Sequence, residues 1–206
     1  MHGGVALFGG AFNPPHTAHE KIAKAALEQL PIDRLIVLPA GQHPWKDQNP
    51  DLAPAKERFE LALLAFAFDP RIRVDDFELA QEGRSYTVET LRHFRASEPG
   101  TTRLYWLIGS DNLAEFHKWK DPKAILALAT IVVYPRLGFP CDPTALAASE
   151  LGPRERRLLL SHPLAVTPEA TSSTSIRAAL AAGTDVSTLL SPRVLARIRA
   201  RHMYGT

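Results

Sequence analysis

The sequence predicts an α/β protein with a doubly wound, mostly parallel sheet, and three observations predict it. Short apolar runs bounded by glycine or proline recur along the chain, as buried strands do. Segments with helical spacing of apolar residues separate them, so strands alternate with helices and the sheet is covered on both faces. No repeat, low-complexity tract or interdomain linker interrupts the pattern. One domain over 1–206 is therefore expected, with a helical C-terminal part from about 171 to 206.

The elements follow in order. Val5-Ala6-Leu7-Phe8 is short, apolar and flanked by glycines, which suits a buried strand. From His16 to Leu30, apolar residues at Ala18, Ile22, Ala25, Ala26 and Leu30 have helical spacing. Leu35-Ile36-Val37-Leu38 is a second strand, stopped by Pro39. A proline- and glycine-rich loop runs from Ala40 to Pro54, and helical spacing returns across Phe59, Ala62, Leu63 and Phe66. Ile72 to Leu79 alternates weakly, as one or two short strands would. Ser85 or Thr87 is expected to cap a helix through Leu91 and Phe94.

Leu104 to Ile108 is the next buried strand, ending at Gly109. Asp121-Pro122 combines a capping carboxylate with proline at the first helical position. Ile131-Val132-Val133-Tyr134 is another core strand. Ser172 or Ser173 caps a helix ending near Gly183, and Ser191-Pro192 opens the last one. In such sheets ligands bind beyond the carboxyl ends of the strands. Attention therefore falls on the loops after Phe8, Leu38, Ile108 and Val133.

Composition excludes several classes. A net charge of +2 in 206 residues gives no general electrostatic case for nucleic-acid or membrane binding. One cysteine, Cys141, excludes an intramolecular disulfide and any site needing two cysteine ligands. The N-terminus lacks a basic, then apolar, leader pattern, and no window approaches roughly 18 uninterrupted apolar residues. A cytoplasmic protein is expected.

The first loop, Gly9-Gly10-Ala11-Phe12-Asn13-Pro14-Pro15-His16-Thr17-Ala18-His19, joins a strand to a helix. Glycines let backbone approach an anion, and a helix start offers free N–H groups and a positive dipole end. His16 and His19 are three apart, so both reach one side of a bound phosphate. A GG turn alone is usually only a turn, and histidines at a helix start are commonly just solvated. Neither a P-loop nor a G-x-G-x-x-G fingerprint is present. A zinc site would need further ligands, and no metal ligands are assigned. Near the C-terminus, Thr171-Ser172-Ser173-Thr174-Ser175-Ile176-Arg177 offers either a hydroxyl-rich anion cradle or simple helix capping.

Taken together, G-G-x-F-x-P-x-H-x-x-H after the first strand and S-S-T-x-I-R before a late helix resemble the HxGH-type nucleotidyltransferases. Ser85-Tyr86-Thr87-x-x-Thr90-Leu91, Ile108-Gly109-Ser110-Asp111-x-Leu113 and Phe116-x-x-Trp119 resemble bacterial nicotinate-mononucleotide adenylyltransferases, in the same order and from Leu7 to Arg177. The resemblance implies a Rossmann-like nucleotidyltransferase fold and the reaction of ATP with nicotinate mononucleotide to deamido-NAD and pyrophosphate. Mg2+ would accompany ATP. Nicotinamide mononucleotide, pantetheine phosphate, FMN or a CTP-dependent alcohol phosphate are the alternative substrates, and a non-catalytic nucleotide sensor is the alternative class.

The resemblance also assigns residues. His16, His19 and Arg177 would be catalytic. Gly9, Gly10, Phe12, Gly109, Asp111, Ser173 and Thr174 would bind ATP. Lys46, Tyr86, Thr87, Trp119 and Arg136 would bind the mononucleotide. Asp111 is also placed to cap a helix starting at Asn112. Three positions depart from the family pattern: Ala18 for a glycine, Asn13 for a common aspartate that would face the triphosphate, and Trp45 for a histidine before the basic residue.

Overall fold

The computed structural model describes residues 3–41 and 51–206. Trp45 and Lys46 lie outside the described residues. Strands β1 (Gly4–Gly10), β2 (Ile32–Pro39), β3 (Ile72–Val74), β4 (Leu104–Gly109) and β5 (Thr130–Tyr134) form one parallel sheet in the order β3-β2-β1-β4-β5. Successive side chains of a strand point to opposite faces, and β1 shows the consequence. Ala6 and Phe8 enter a core shared with α1 (Thr17–Gln29), α2 (Ala55–Ala65), α6 (Ser173–Ala181) and α7 (Pro192–Ala200). Val5 and Leu7 enter a second core with α3 (Thr87–Ser97), α4 (Pro122–Leu128) and α5 (Pro153–Leu159). Leu7, Leu35 and Leu38 are fully buried, each contributing about 1.5–3 kcal/mol of transfer energy.

This order fixes where a ligand can sit. From β1 the chain steps outward to β2 and β3, with α1 and α2 on one face. It then crosses to β4 and β5, with α3 and α4 on the other. The loops after β1 and β4 therefore diverge and leave a crevice at the carboxyl edge.

Several local expectations need correction. The strand beginning at Ile72 stops at Val74. Asp75 N–H still donates to the Val37 carbonyl at 2.9 Å, but the chain then turns through Asp76 to Ala80. Neither Ser85 nor Thr87 caps α3. Tyr86 is the cap residue and makes no side-chain cap bond, while the Ser85 hydroxyl donates to the Glu78 carbonyl at 3.3 Å. Ser172 rather than Ser173 caps α6, accepting from Ser175 N–H at 3.0 Å. Asp111 caps nothing: the short 3₁₀ turn Ser110–Asn112 has no side-chain cap.

The proline-led starts are as expected. Asp121 accepts from Ala124 N–H at 3.1 Å and Ser191 from Val194 N–H at 3.4 Å. Helix α5 escapes sequence reading because Arg154-Glu155-Arg156-Arg157 masks its single buried contact, Leu159. Among the described residues no helix is long and apolar enough to cross a membrane.

Candidate active site

At the carboxyl end of β1 the glycines make room for side chains of the protein itself. A Cβ on Gly9 would lie 3.1 Å from the Trp106 ring, and one on Gly10 would lie 3.0 Å from Phe12. Phe12 has a left-handed φ of +46°, a conformation costing about 1–2 kcal/mol outside glycine. The twist turns its ring inward, where it is 1% exposed. There it meets Phe8 at 5.4 Å, Phe66 at 5.5 Å and His19 at 5.1 Å between centroids, all edge-on. Phe12, expected to touch ATP, is thus a core residue whose ring supports a histidine. Periodicity could not find this, because it depends on one backbone dihedral.

The same loop is held from outside by distant residues. Arg58 is 3% exposed and donates from Nη1 to the Ala11 carbonyl at 2.9 Å and from Nε to the Ala53 carbonyl at 3.1 Å. Arg177 Nη1 donates to the Asn13 carbonyl at 3.0 Å, and Ser173 Oγ donates to the Pro14 carbonyl at 2.9 Å. The second cluster therefore docks on the first loop. Asn13 does not face the crevice. Its Nδ2 donates to the Asp51 carbonyl at 2.8 Å, and its Oδ1 accepts from Ala53 N–H at 3.0 Å and the Tyr204 hydroxyl at 2.9 Å. An amide serves that mixture of donor and acceptors, which a carboxylate could not. Thr174 is exposed at the start of α6.

His16 is the cap residue of α1, 5% exposed, and its N–H donates to His19 Nδ1 at 3.2 Å. That bond makes Nδ1 an acceptor and places the proton of a neutral His19 on Nε2. The two rings lie 3.8 Å apart between centroids. The expected free helix amides are largely occupied: Thr17 N–H donates to the Leu189 carbonyl, and His19 and Glu20 N–H both donate to the His16 carbonyl. The imidazoles therefore stand among the site's side-chain donors, with Arg136. His16 Nδ1 is itself buried without a hydrogen-bond partner, which costs stability.

Burial, then the Arg136 charge, pushes the His16 imidazole down to about 4. Burial, His16 and Arg136, in that order, hold His19 well below its usual range. Both are neutral at pH 7. They line one open cavity with Ala18, Tyr134, Arg136 and Thr171. Arg136, expected with Lys46 at the mononucleotide's phosphate, lines the same cavity as the histidines.

Its place is set from β4. Ser110 Oγ accepts Arg136 N–H at 2.9 Å, and Arg136 Nε lies 3.6 Å from the Asp111 carboxylate. A Cβ on Gly109 would fall 2.2 Å from Asp111 Oδ1 and 2.6 Å from Arg136 Cδ, so a larger residue there would push both side chains out of place. Among the described residues no group of three or more His, Cys, Asp or Glu converges on a possible metal position.

The other expected segments meet one another at the start of α3. Tyr86 and Thr87 start α3, and the Lys120 ammonium sits 4.2 Å above the Tyr86 ring while pairing with Glu89 at 2.5 Å. Trp119 is half-buried with its ring 5.1 Å from Phe116. Two motifs about thirty residues apart in sequence are thereby joined through Lys120.

A Cytidylyltransferase-like family model matches residues 7–179. A protein of Chromobacterium violaceum named "Probable nicotinate-nucleotide adenylyltransferase" is 37% identical, covering 99% of this chain and 100% of its own length. One of the same name from Albidiferax ferrireducens is 39% identical over 98% of each. This chain belongs to the nicotinate-nucleotide adenylyltransferase family. The fold agrees. The Plasmodium falciparum nicotinic acid mononucleotide adenylyltransferase superposes with a TM-score of 0.76 in its complex with NaAD and 0.75 in its complex with APC, each at 16% identity and 98% coverage of both chains.

Proposed function

We propose that this chain joins ATP and nicotinate mononucleotide, giving deamido-NAD and pyrophosphate. The observation that carries the reading is the pair of buried, neutral imidazoles converging with Arg136 on one cavity at the edge of β1 and β5. A phosphate oxygen of the mononucleotide attacks the α-phosphorus of ATP. The new P–O bond forms as the α–β bridge breaks, and pyrophosphate leaves with the bridging electrons.

The protein's contribution is positioning and charge stabilisation. Neutral His16 and His19 donate N–H bonds to phosphate oxygens as charge builds, and Arg136 adds a fixed positive charge. Asp111 accepts from ribose hydroxyls. Thr174 meets the phosphates from α6, and Arg177 and Ser173 serve by holding the loop that carries the histidines. Magnesium enters as part of MgATP, the described residues offering no dedicated cage. Lys46 is assigned to the mononucleotide phosphate by motif position alone.

At the other end Tyr86, Thr87 and Trp119 receive the pyridine ring. A nicotinate carboxylate only accepts hydrogen bonds, whereas the amide also brings two donors. The Lys120 ammonium above Tyr86 favours the anion. Pyrophosphate release should be measured with MgATP and a panel of nicotinate mononucleotide, nicotinamide mononucleotide and pantetheine phosphate. The acid should exceed the amide in kcat/KM by about 10² or more. No release with any acceptor would overturn the enzymatic reading, and equal efficiencies would overturn the acid preference.

A further inference from the structure

Glu78 is 7% exposed, in the turn between β3 and α3, and no step described above uses it. Burying a carboxyl is costly unless it is hydrogen-bonded, so its partners are informative. The Thr90 hydroxyl donates to Glu78 Oε1 at 2.7 Å from inside α3, and Thr90 is itself 1% exposed. The Gly41 N–H donates to the same carboxyl from just beyond β2. The Glu78 backbone carbonyl accepts the buried Ser85 hydroxyl at 3.3 Å. Gly41 is pressed against this turn: a Cβ there would fall 2.3 Å from the Glu78 carbonyl oxygen and 2.5 Å from Ser85 Oγ. Burial pushes the Glu78 carboxyl up, while the Thr90 and Gly41 donors pull it back down.

The elements brought together are the segment leaving β2 and the first turn of α3, where Tyr86 and Thr87 stand. We propose that Glu78 is the positioning residue for the acceptor nucleotide, clamping the start of α3 to the end of β2 and so fixing Tyr86 and Thr87 relative to the crevice. Thr90 is the lever of this clamp. Its hydroxyl also reaches the Tyr86 carbonyl at 3.4 Å, so one side chain links the carboxyl to the cap residue of the helix. The loop of His16 is held chiefly by Arg58, Arg177 and Asn13 and meets the clamp through the Ala40 N–H, which donates to the Gly10 carbonyl at 2.8 Å. A lost clamp is therefore felt chiefly by the acceptor.

The inference rests on the acceptor reading above. KM for nicotinate mononucleotide, KM for ATP, kcat and melting temperature should be measured for the wild type, Glu78→Ala, Glu78→Gln and Thr90→Val. Wild-type protein that releases no pyrophosphate from this pair overturns the acceptor reading, and this inference with it. With an active wild type, Glu78→Ala should raise KM for the mononucleotide about tenfold, and Glu78→Gln, which keeps one acceptor oxygen, about threefold. Thr90→Val should give about three- to fivefold. KM for ATP should stay within about twofold throughout. Equal rises in both KM values, or a lower melting temperature with both unchanged, would overturn the clamp and leave the acceptor reading standing. If Glu78→Ala does not fold, Thr90→Val and Glu78→Gln decide the matter by the same ratio of KM values.

Discussion

The two ends of the crevice are built on opposite plans. At the phosphate end, backbone carbonyls of residues 11–14 are the attachment points, and the groups that grip them come from α2 and α6. At the acceptor end, the contacts are side chain on side chain: Lys120 over Tyr86, Lys120 with Glu89, Trp119 beside Phe116. Carbonyls held by buried guanidiniums leave a loop little freedom. Beyond the Glu78 clamp at its base, the acceptor end consists of half-buried rings and exposed ion pairs whose side chains can adjust to a ligand, since exposed pairs contribute only about 0–1 kcal/mol. Charge develops at the rigid end, where preorganised donors act most strongly.

The comparison breaks most decisively at the histidines. His16→Ala and His19→Ala should each lower kcat by about 10²–10³ while KM for the mononucleotide changes little. Steady-state kinetics with each substrate varied will show this, and a normal kcat in either variant would return that residue to a packing role.

Acid should separate the ends next. His16 is pushed from 6.5 to about 4 by burial, then Arg136, so between these values the unfolded chain takes up a proton that the native state does not. The contribution is fully present above about pH 6.5 and is lost as pH falls towards 4, by up to about 3 kcal/mol. Denaturant unfolding at pH 7.5, 6, 5 and 4.5 measures it. His16→Ala should reduce the slope, His19 keeping its own share, whereas Trp119→Ala should leave it intact.

The smallest expected effect sharpens the contrast from the acceptor side. Trp119→Ala should raise KM for nicotinate mononucleotide about two- to tenfold, the worth of a lost ring contact, with kcat and KM for ATP nearly unchanged. A matching rise for ATP would mean that the ends are mechanically coupled.

The strands were legible because burial on both faces leaves a local signature. Val5 to Phe8, Leu35 to Leu38, Leu104 to Ile108 and Ile131 to Tyr134 are apolar runs ended by glycine or proline, and each lies within a strand. The starts of α4 and α7 were legible for a similar reason, since a cap and an N1 proline act within one turn. The histidine pair was legible as spacing, and the family as an ordered set of motifs.

What the sequence could not determine involves partners far along the chain. Asn13 appears in sequence as a departure beside the triphosphate, and the fold turns it towards Tyr204, 191 positions away. Arg177 and Ser173 appear as phosphate ligands, and the fold spends them on the carbonyls of Asn13 and Pro14. Phe12 appears as a nucleotide contact, and a positive φ buries it under His19. Glu78 has no motif at all. Its role arises only where β2 and α3 converge on one buried carboxyl. Local patterns determine elements because helices and strands are short-range objects. The direction in which a polar side chain spends its hydrogen bonds is settled by whichever buried donor or acceptor the completed fold leaves unpaired.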